Sequence, residues 1–172
     1  MTWTAPEVQR ARPPRTGDER DSLEGFLDYH RDTLLLKCAG LTAEDLKRAS
    51  VEPSGLTLLG LVRHMTEVEQ WWFSVRAAGL APAPVYCTDE FPDGDFDLVA
   101  AADAETDLAR FRERIGISKA AVAELPLEHE FTHPRHGELS LRWVYLHMLE
   151  EYARHNGHAD LLRERIDGAT GE

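Results

Sequence analysis

The segment Thr57–Ala78, TLLGLVRHMTEVEQWWFSVRAA, carries the clearest helical pattern in the chain. Its apolar residues recur every three or four positions and form a broad stripe, which favours burial against other helices. Gly79 follows the segment, and glycine is a typical stop signal of a helix. His64 lies beside the apolar stripe, roughly 20° from Val75 in projection, so its imidazole can point into the protein.

Three other long segments show helical periodicity. We predict helices over about Asp18–Cys38, over about Asp103–Leu125, and from the plausible N-cap Ser140 through Leu162 or beyond. A short helical segment is predicted at Thr42–Ala49, where a capping-type sequence begins. No convincing strand pattern is present. The sequence therefore predicts an all-α protein built as a four-helix bundle.

Two regions lie outside these main helices. Residues 1–17 contain three prolines and little periodicity, which predicts an extended N-terminal arm that is ordered only if Trp3 docks on the body. Residues 80–100 are rich in Pro, Asp and Gly and form a long loop between the second and third main helices. Long ordered loops often border functional sites. We assign residues 18–172 to a single domain.

Composition narrows the classes of partner. The 172 residues include 19 Lys and Arg against 31 Asp and Glu, a net charge of −12, which argues against nucleic acid and anionic membranes as partners. No apolar run approaches the roughly 18 residues of a membrane span, and no export signal pattern begins the chain. Cys38 and Cys87 stand in no metal-binding or redox spacing. We expect a cytoplasmic protein with two reduced thiols.

The last helix carries the segment HMLEEYARHNGH, residues 147–158. Its members His147, Glu151, His155 and His158 fall within a sector of roughly 80° on one helix face. Imidazole and carboxylate groups suit a divalent transition metal, and residues four apart on a helix can share one ion. His64 from another helix would complete a set of two imidazoles and one carboxylate, leaving open positions typical of a catalytic zinc.

Less specific interpretations remain open for these residues. A Glu-x-x-x-His pair on a helix is also typical of a surface pair or of a hydrogen bond at the edge of a core. His147 is a fourth ligand, a supporting partner of the ligands or a core-edge histidine, and His158 is a supporting partner. A further cluster has ligand-like spacing but lies in a loop with Pro and Gly, so we interpret it as a solvated loop: His129, His133 and His136.

The chain resembles the DinB-like superfamily, in an actinobacterial branch called domain of unknown function 664. Three sequence blocks carry the resemblance and occur in the family's order: DERDSLEGFLDYHR at 18–31, PSGLTLLGLVRH at 53–64 and LRWVYLHMLEEYARHNGHADLLRE at 141–164. The resemblance implies a four-helix bundle with one histidine on the second helix and a His/Glu-x-x-x-His pair on the last. Those positions correspond here to His64, Glu151 and His155 as metal ligands.

Glu151 distinguishes this chain within the superfamily. Many DinB-like proteins have histidine at that position, whereas glutamate is similar to the N-terminal metal-binding domain of mycothiol-dependent maleylpyruvate isomerases, which are zinc enzymes. Those enzymes carry an additional C-terminal domain, so the resemblance extends to the metal site and not to isomerase activity. It implies zinc, with nickel as the alternative, and mycothiol as a co-substrate.

The activity implied by this resemblance is a metal-dependent S-transfer or detoxification reaction that uses a small-molecule thiol and an electrophile. Two alternatives stay open: a non-catalytic metal- or small-ligand-binding stress-response protein, and a metal-dependent hydrolase. Arg63 and Glu67 are candidate polar contacts for the sugars of mycothiol. We expect Trp72 to lie in the core and Trp71 to line a pocket or an interface. Exposed aromatic residues on such a bundle favour a homodimer.

Overall fold

The computed structural model describes residues 2–171; Met1 of the predicted arm and Glu172 of the predicted domain lie outside it. The described residues are mostly helical, which confirms the predicted helical class. The elements are α1 (Glu19–Cys38), α2 (Ala43–Leu46), α3 (Leu58–Glu69), α4 (Gly94–Asp97), α5 (Ala104–Val122), β1 (Glu130–His133), β2 (Gly137–Ser140) and α6 (Leu141–Asp167). A π-helical segment, Gln70–Ala77, continues α3, and a single 3-10 turn spans Val99–Ala101.

The four long helices begin at polar side chains that cap the free backbone N–H groups of the first turn. Asp18, Thr57, Asp103 and Ser140 each accept a hydrogen bond from the backbone N–H three residues further on. The cap predicted at Ser140 is therefore confirmed. α6 ends at Gly168, whose φ of 80° is a left-handed conformation that favours glycine. These local signals explain why the predicted starts of the long helices are nearly correct.

The long helices pack in pairs around one apolar core. α1 contacts α6, α3 contacts both α5 and α6, and α1 also contacts α3. Such pairings are consistent with a helical bundle. The largest fully buried side chains of this core are those of Tyr152, Phe73, Phe111, Leu27, Leu34, Leu46, Leu58, Leu59, Leu61, Met65, Leu108 and Leu141.

α3 with its π-helical extension runs antiparallel to α6. Three contacts define their register: the Trp72 and His147 ring centroids are 4.7 Å apart, Tyr152 Oη lies 2.8 Å from Glu69 Oε1, and the His64 and His155 ring centroids are 4.8 Å apart. Residue numbers fall along one element as they rise along the other. The two helices thus present one face of each to the other over several turns.

A buried ionic network ties three helices together. The Glu69 carboxylate, on α3, has no solvent exposure and accepts hydrogen bonds from Arg31 Nε at 2.7 Å and Arg31 Nη2 at 2.9 Å. The Tyr152 hydroxyl of α6 donates to the same carboxylate. Burial raises the pKa of Tyr152 well above its ordinary value, so the hydroxyl stays a donor. A carboxylate with these partners is satisfied although it is buried.

The sequence predicts that the chain contains no strand, and this prediction is wrong. β1 and β2 form an antiparallel hairpin in which Glu130 pairs with Ser140 and His133 pairs with Gly137. Each strand is only four residues long, too short for an alternating pattern to stand out from the surrounding loop. β2 leads directly into α6, so the hairpin orients the start of that helix.

The N-terminal arm lies on the body of the protein. Between residues 2 and 17 the chain forms no helix, as predicted, and Trp3 packs against the core. The Ala5 N–H donates to the carbonyl of Leu41 at 2.8 Å, and Thr4 forms an isolated bridge with Thr42. Within residues 2–171, no helix combines the length and the apolar character needed to cross a bilayer.

We expect the Glu69→Ala substitution to destabilise the protein by about 3–5 kcal/mol, because the buried Arg31 guanidinium would lose its main partner. Tyr152→Phe should cost only about 1 kcal/mol, the value of one hydrogen bond. Urea unfolding followed by circular dichroism measures both. The exposed Glu113 of α5 provides the control, since Glu113→Ala should change stability by less than about 0.5 kcal/mol. Equal stability of Glu69→Ala and the control would contradict the role of the network.

Candidate metal centre

The structure brings together the three residues that the sequence singles out. His64 comes from α3, and Glu151 and His155 come from α6, one helical turn apart. One candidate ligand atom from each residue lies within 4.8 Å of those from the other two. All three side chains are partly buried at the edge of the core. An arrangement of two imidazoles and one carboxylate at this separation suits a single divalent transition metal.

Asp95 determines which ring nitrogen of His64 carries the proton. The Nδ1 atom of His64 lies 2.8 Å from Asp95 Oδ2, and because a carboxylate only accepts, Nδ1 is the protonated nitrogen. Burial alone would raise the pKa of Asp95, but hydrogen bonds from His64, from Cys87 and from the Phe96 N–H outweigh it and hold that pKa below its ordinary value. Nε2 of His64 therefore keeps its lone pair for a metal. A carboxylate behind a ligating histidine is a common second partner in metal sites.

Arg63, the neighbour of His64, holds the segment that carries Asp95. Its guanidinium donates to the carbonyls of Gly94 and Asp95 and to the Asp107 carboxylate, at 2.8, 2.9 and 2.8 Å respectively. All of these contacts are buried. The interpretation of Arg63 as a contact for bound sugars is therefore wrong, because its donors are used within the protein.

Phe96 packs on the other side of the His64 ring. The two ring centroids are 5.1 Å apart and the planes are inclined by 30°. Gly60, one turn before His64, makes room for this packing, since a Cβ at that position would lie only 2.9 Å from the Phe96 ring. Asp95 and Phe96 together fix both the hydrogen bond and the plane of the His64 imidazole.

On α6, Glu151 lies between two histidines. Its Oε2 is 3.4 Å from His155 Nε2, and its Oε1 is 3.5 Å from His147 Nε2. Burial, together with the neighbouring His64 and His158 imidazoles, lowers the pKa of His155 to about 4. His155 is thus neutral at physiological pH, the state in which an imidazole binds a metal.

His147 and His158 flank this group without joining it. The His147 ring stacks on Trp143, with centroids 4.8 Å apart and planes inclined by 14°, and it also contacts the edge of Trp72. The His158 ring lies 5.4 Å from that of His155. Neither residue belongs to the cluster of three. Both occupy positions from which they can support the ligands of α6.

The interpretation of the histidines at 129, 133 and 136 as a solvated loop is wrong for two of them. His133 lies at the end of β1, is buried and stacks on Trp72 with ring centroids 5.5 Å apart. His129 Nε2 donates to the carbonyl of Ala77 at 3.0 Å. Only His136 is exposed. These residues attach the hairpin to the π-helical segment, and they do not form a metal cluster within the described residues.

A cavity of about 560 Å³ opens beside His64, a volume typical of a site for a small molecule. Apolar side chains from the π-helical segment and from the loop at 80–100 form most of its wall. Trp71 is exposed at its edge, whereas Trp72 is buried, as the sequence predicts.

The Glu67 carboxylate also lines the cavity, and its Oε1 accepts hydrogen bonds from the backbone N–H groups of residues 85, 86 and 87. Glu67 therefore holds the loop in place.

The two cysteines of the chain are not thiolates. Burial raises the pKa of Cys38 to about 12 and that of Cys87 to about 11. Both groups therefore stay protonated at neutral pH, and a protonated thiol is a poor nucleophile. Chemistry at a reactive sulfur near this cavity would need a thiol supplied from outside the chain.

The residues present fit a metal ion. His64 keeps one nitrogen free because the other is bonded to Asp95. The Nδ1 atom of His155 is buried without a hydrogen-bond partner among the described residues, and its other nitrogen faces Glu151. A cluster of one carboxylate and two imidazoles with so few internal hydrogen bonds has the donor atoms that a divalent cation requires.

The helical fold and this cluster are consistent with a DinB-like protein that carries a candidate metal centre. A family model described as mycothiol-S-transferase matches residues 22–168. Since the match covers most of the chain, the chain belongs to the mycothiol S-transferase family. Searches of curated proteins and of solved structures found no significant match.

We expect Asp95→Asn to weaken metal binding by about 10- to 100-fold, because an amide can leave the wrong nitrogen of His64 protonated. Competition with a chelating dye measures the affinity. Asp97→Asn is the matched control, as Asp97 lies on the same short helix and is exposed. Equal affinities of the two variants would contradict the assigned role of Asp95.

Proposed function

We propose that the protein is a metal-dependent S-transferase in which His64, Glu151 and His155 bind a divalent transition metal. The observation that carries the proposal is the convergence of these three side chains from α3 and α6, beside a cavity of small-molecule size. Membership of the mycothiol S-transferase family supports a small thiol as the partner. Zinc is the metal we favour and nickel is the alternative, since two imidazoles and a carboxylate accept either.

Bound at this site, such an ion would lower the pKa of a coordinated thiol and hold it as a thiolate at neutral pH. The residues of the chain supply the geometry. Asp95 holds the proton on Nδ1 of His64, and His147 contacts the Glu151 carboxylate. The apolar cavity wall beside His64 reduces the amount of water around the reacting centre.

The reaction we propose joins the sulfur of the thiol to an electrophilic carbon. The thiol proton passes to solvent, the sulfur electron pair forms the C–S bond, and the bond from carbon to the leaving group breaks. The leaving group departs with its electron pair. With a conjugated carbonyl compound the displaced pair moves to the carbonyl oxygen, and a proton from solvent completes the addition. Mycothiol is the thiol that family membership favours.

Elemental analysis of purified protein tests the ligand set. We expect about one zinc or nickel ion per chain in the wild type and a clear reduction in His64→Ala, Glu151→Ala and His155→Ala, because each variant removes one of three protein ligands. His136→Ala is the control, since this exposed histidine lies outside the cluster. Unchanged metal content in all three variants would rule out the assignment.

Thiol-dependent consumption of an electrophile tests the reaction. With mycothiol and a neutral alkylating agent, the kcat/KM of the metal-loaded wild type should exceed that of His155→Ala on the order of a hundredfold or more. Circular dichroism of the variant checks that it is folded. Bound metal without any turnover over a broad panel of thiols, electrophiles and esters would instead indicate a metal-binding protein. Turnover of esters in the absence of thiol would indicate a hydrolase.

A further inference from the structure

The cavity beside His64 has an unusual balance of apolar and acidic groups. Its wall consists largely of aromatic, aliphatic and proline side chains, among them Trp71, Val75 and Leu80. The charged groups on the wall are the carboxylates of Glu67, Asp93 and Asp95. Among the described residues that line it, none is Lys or Arg. The whole chain has a net charge of −12, which adds to the negative potential.

The basic residues nearest in sequence, Arg63 and Arg76, do not line the cavity. Arg63 donates hydrogen bonds to Gly94, Asp95 and Asp107 within the protein. The guanidinium carbon of Arg76 lies 3.9 Å from the centroid of the Trp71 ring, and Arg76 is not part of the cavity wall. Apart from the candidate metal ion at the His64 end, an anionic ligand in the cavity would meet the carboxylates of the wall and no cationic side chain of that wall.

The uncharged side chain of Gln70 adds another hydrogen-bond acceptor to the wall of the cavity. Gln70 lines the cavity and is 4% exposed, and its Nε2 donates to the carbonyl of Ala83. Its Oε1 has no hydrogen-bond partner among the described residues. A ligand that donates hydrogen bonds matches such a lining, whereas one that only accepts them does not.

Two aromatic side chains, Phe96 and Trp71, line the cavity at different points. Phe96 lies at the end of the cavity next to His64, and the Trp71 indole lies at the exposed edge, fixed by the stacked Arg76 guanidinium. Flat apolar walls of this kind favour a planar, apolar ligand, because aromatic rings gain from stacking beyond the burial of area. The polyhydroxylated sugars of a thiol such as mycothiol would bury many hydroxyl groups against these largely apolar walls.

We propose that this cavity binds the electrophile of the S-transfer reaction, as a planar, apolar molecule that is neutral or cationic, and that it discriminates against anionic electrophiles. The inference rests on the proposed function for the identity of the site as a reaction centre. His64 lines the cavity, so a molecule bound there lies beside the candidate metal centre. The thiol then approaches the centre from outside the cavity.

Calorimetric titration of the wild-type protein with three unreactive probes tests the charge preference. The probes share one naphthalene ring and carry a carboxamide, a carboxylate or a methylammonium group. We expect the carboxamide and the ammonium compound to bind, and the carboxylate to bind at least about tenfold more weakly because of repulsion by the carboxylates of the wall. Equal or tighter binding of the carboxylate, or no binding of any probe, would overturn the proposal.

Substitutions then locate the binding. Trp71→Ala should weaken binding of the carboxamide by roughly three- to tenfold through loss of stacking. Leu80→Lys, which places a cation at the edge of the cavity, should reduce the discrimination against the carboxylate. Leu161→Lys is the matched control, since Leu161 is similarly exposed and lies outside the cavity. If this control had the same effect as Leu80→Lys, the cavity would not be the binding site.

Two further measurements separate this proposal from the proposed function. Mycothiol should not displace the carboxamide, and displacement would assign the cavity to the thiol instead. The His155→Ala variant should keep the charge preference while losing metal, because His155 does not line the cavity. If the wild-type protein showed the charge preference but held no metal, the proposed S-transferase function would be overturned. The proposed class of ligand for the cavity would still be supported. Metal-dependent turnover without any charge preference would overturn only the assignment of the cavity.

Discussion

The buried carboxylate of Glu69 is the constraint on which the candidate metal centre depends. A charge without solvent must be fully paired, and here Arg31 of α1 and Tyr152 of α6 provide the partners. Because Tyr152 must face α3, its neighbours Glu151 and His155 take positions roughly 100° and 60° round the helix, on the same side. A structural ion pair thereby directs two side chains of the candidate site towards His64.

A similar arrangement occurs on α3, where a structural residue is adjacent to a candidate ligand. Arg63 is buried and bonded to the backbone of α4, while the adjacent His64 is partly exposed and faces α6. By binding the carbonyls of Gly94 and Asp95, Arg63 places the Asp95 carboxylate where it can hold the proton of His64. In both halves of the site, a buried residue next in sequence to a candidate ligand determines where that ligand points.

The parts of this arrangement that could be predicted from the sequence are those with local causes. The capping residue Ser140 predicted where the last helix begins, and the one-turn spacing of Glu151 and His155 predicted that the two side chains are neighbours. Asp95 could not be identified from the sequence as the partner of His64, because the loop at 80–100 contains several carboxylates. Only the hydrogen bonds made by Arg63 place one of them beside His64. The hairpin was missed because its strands are short. The role of Arg63 was misjudged because its partners lie 31 to 44 positions away in the chain.

The π-helical segment has a consequence for comparison with other chains. Its wider turns take up more residues than an α-helix of equal length, and the Ala78 N–H accordingly donates to the carbonyl of Phe73, five residues earlier. A relative with a regular α-helix here would need fewer residues to span the same distance. An ungapped alignment of the two would then pair Trp71 and Trp72 with residues turned by about 100° from the equivalent direction. Insertions and deletions inside this helix are therefore compatible with an unchanged fold and a differently shaped cavity.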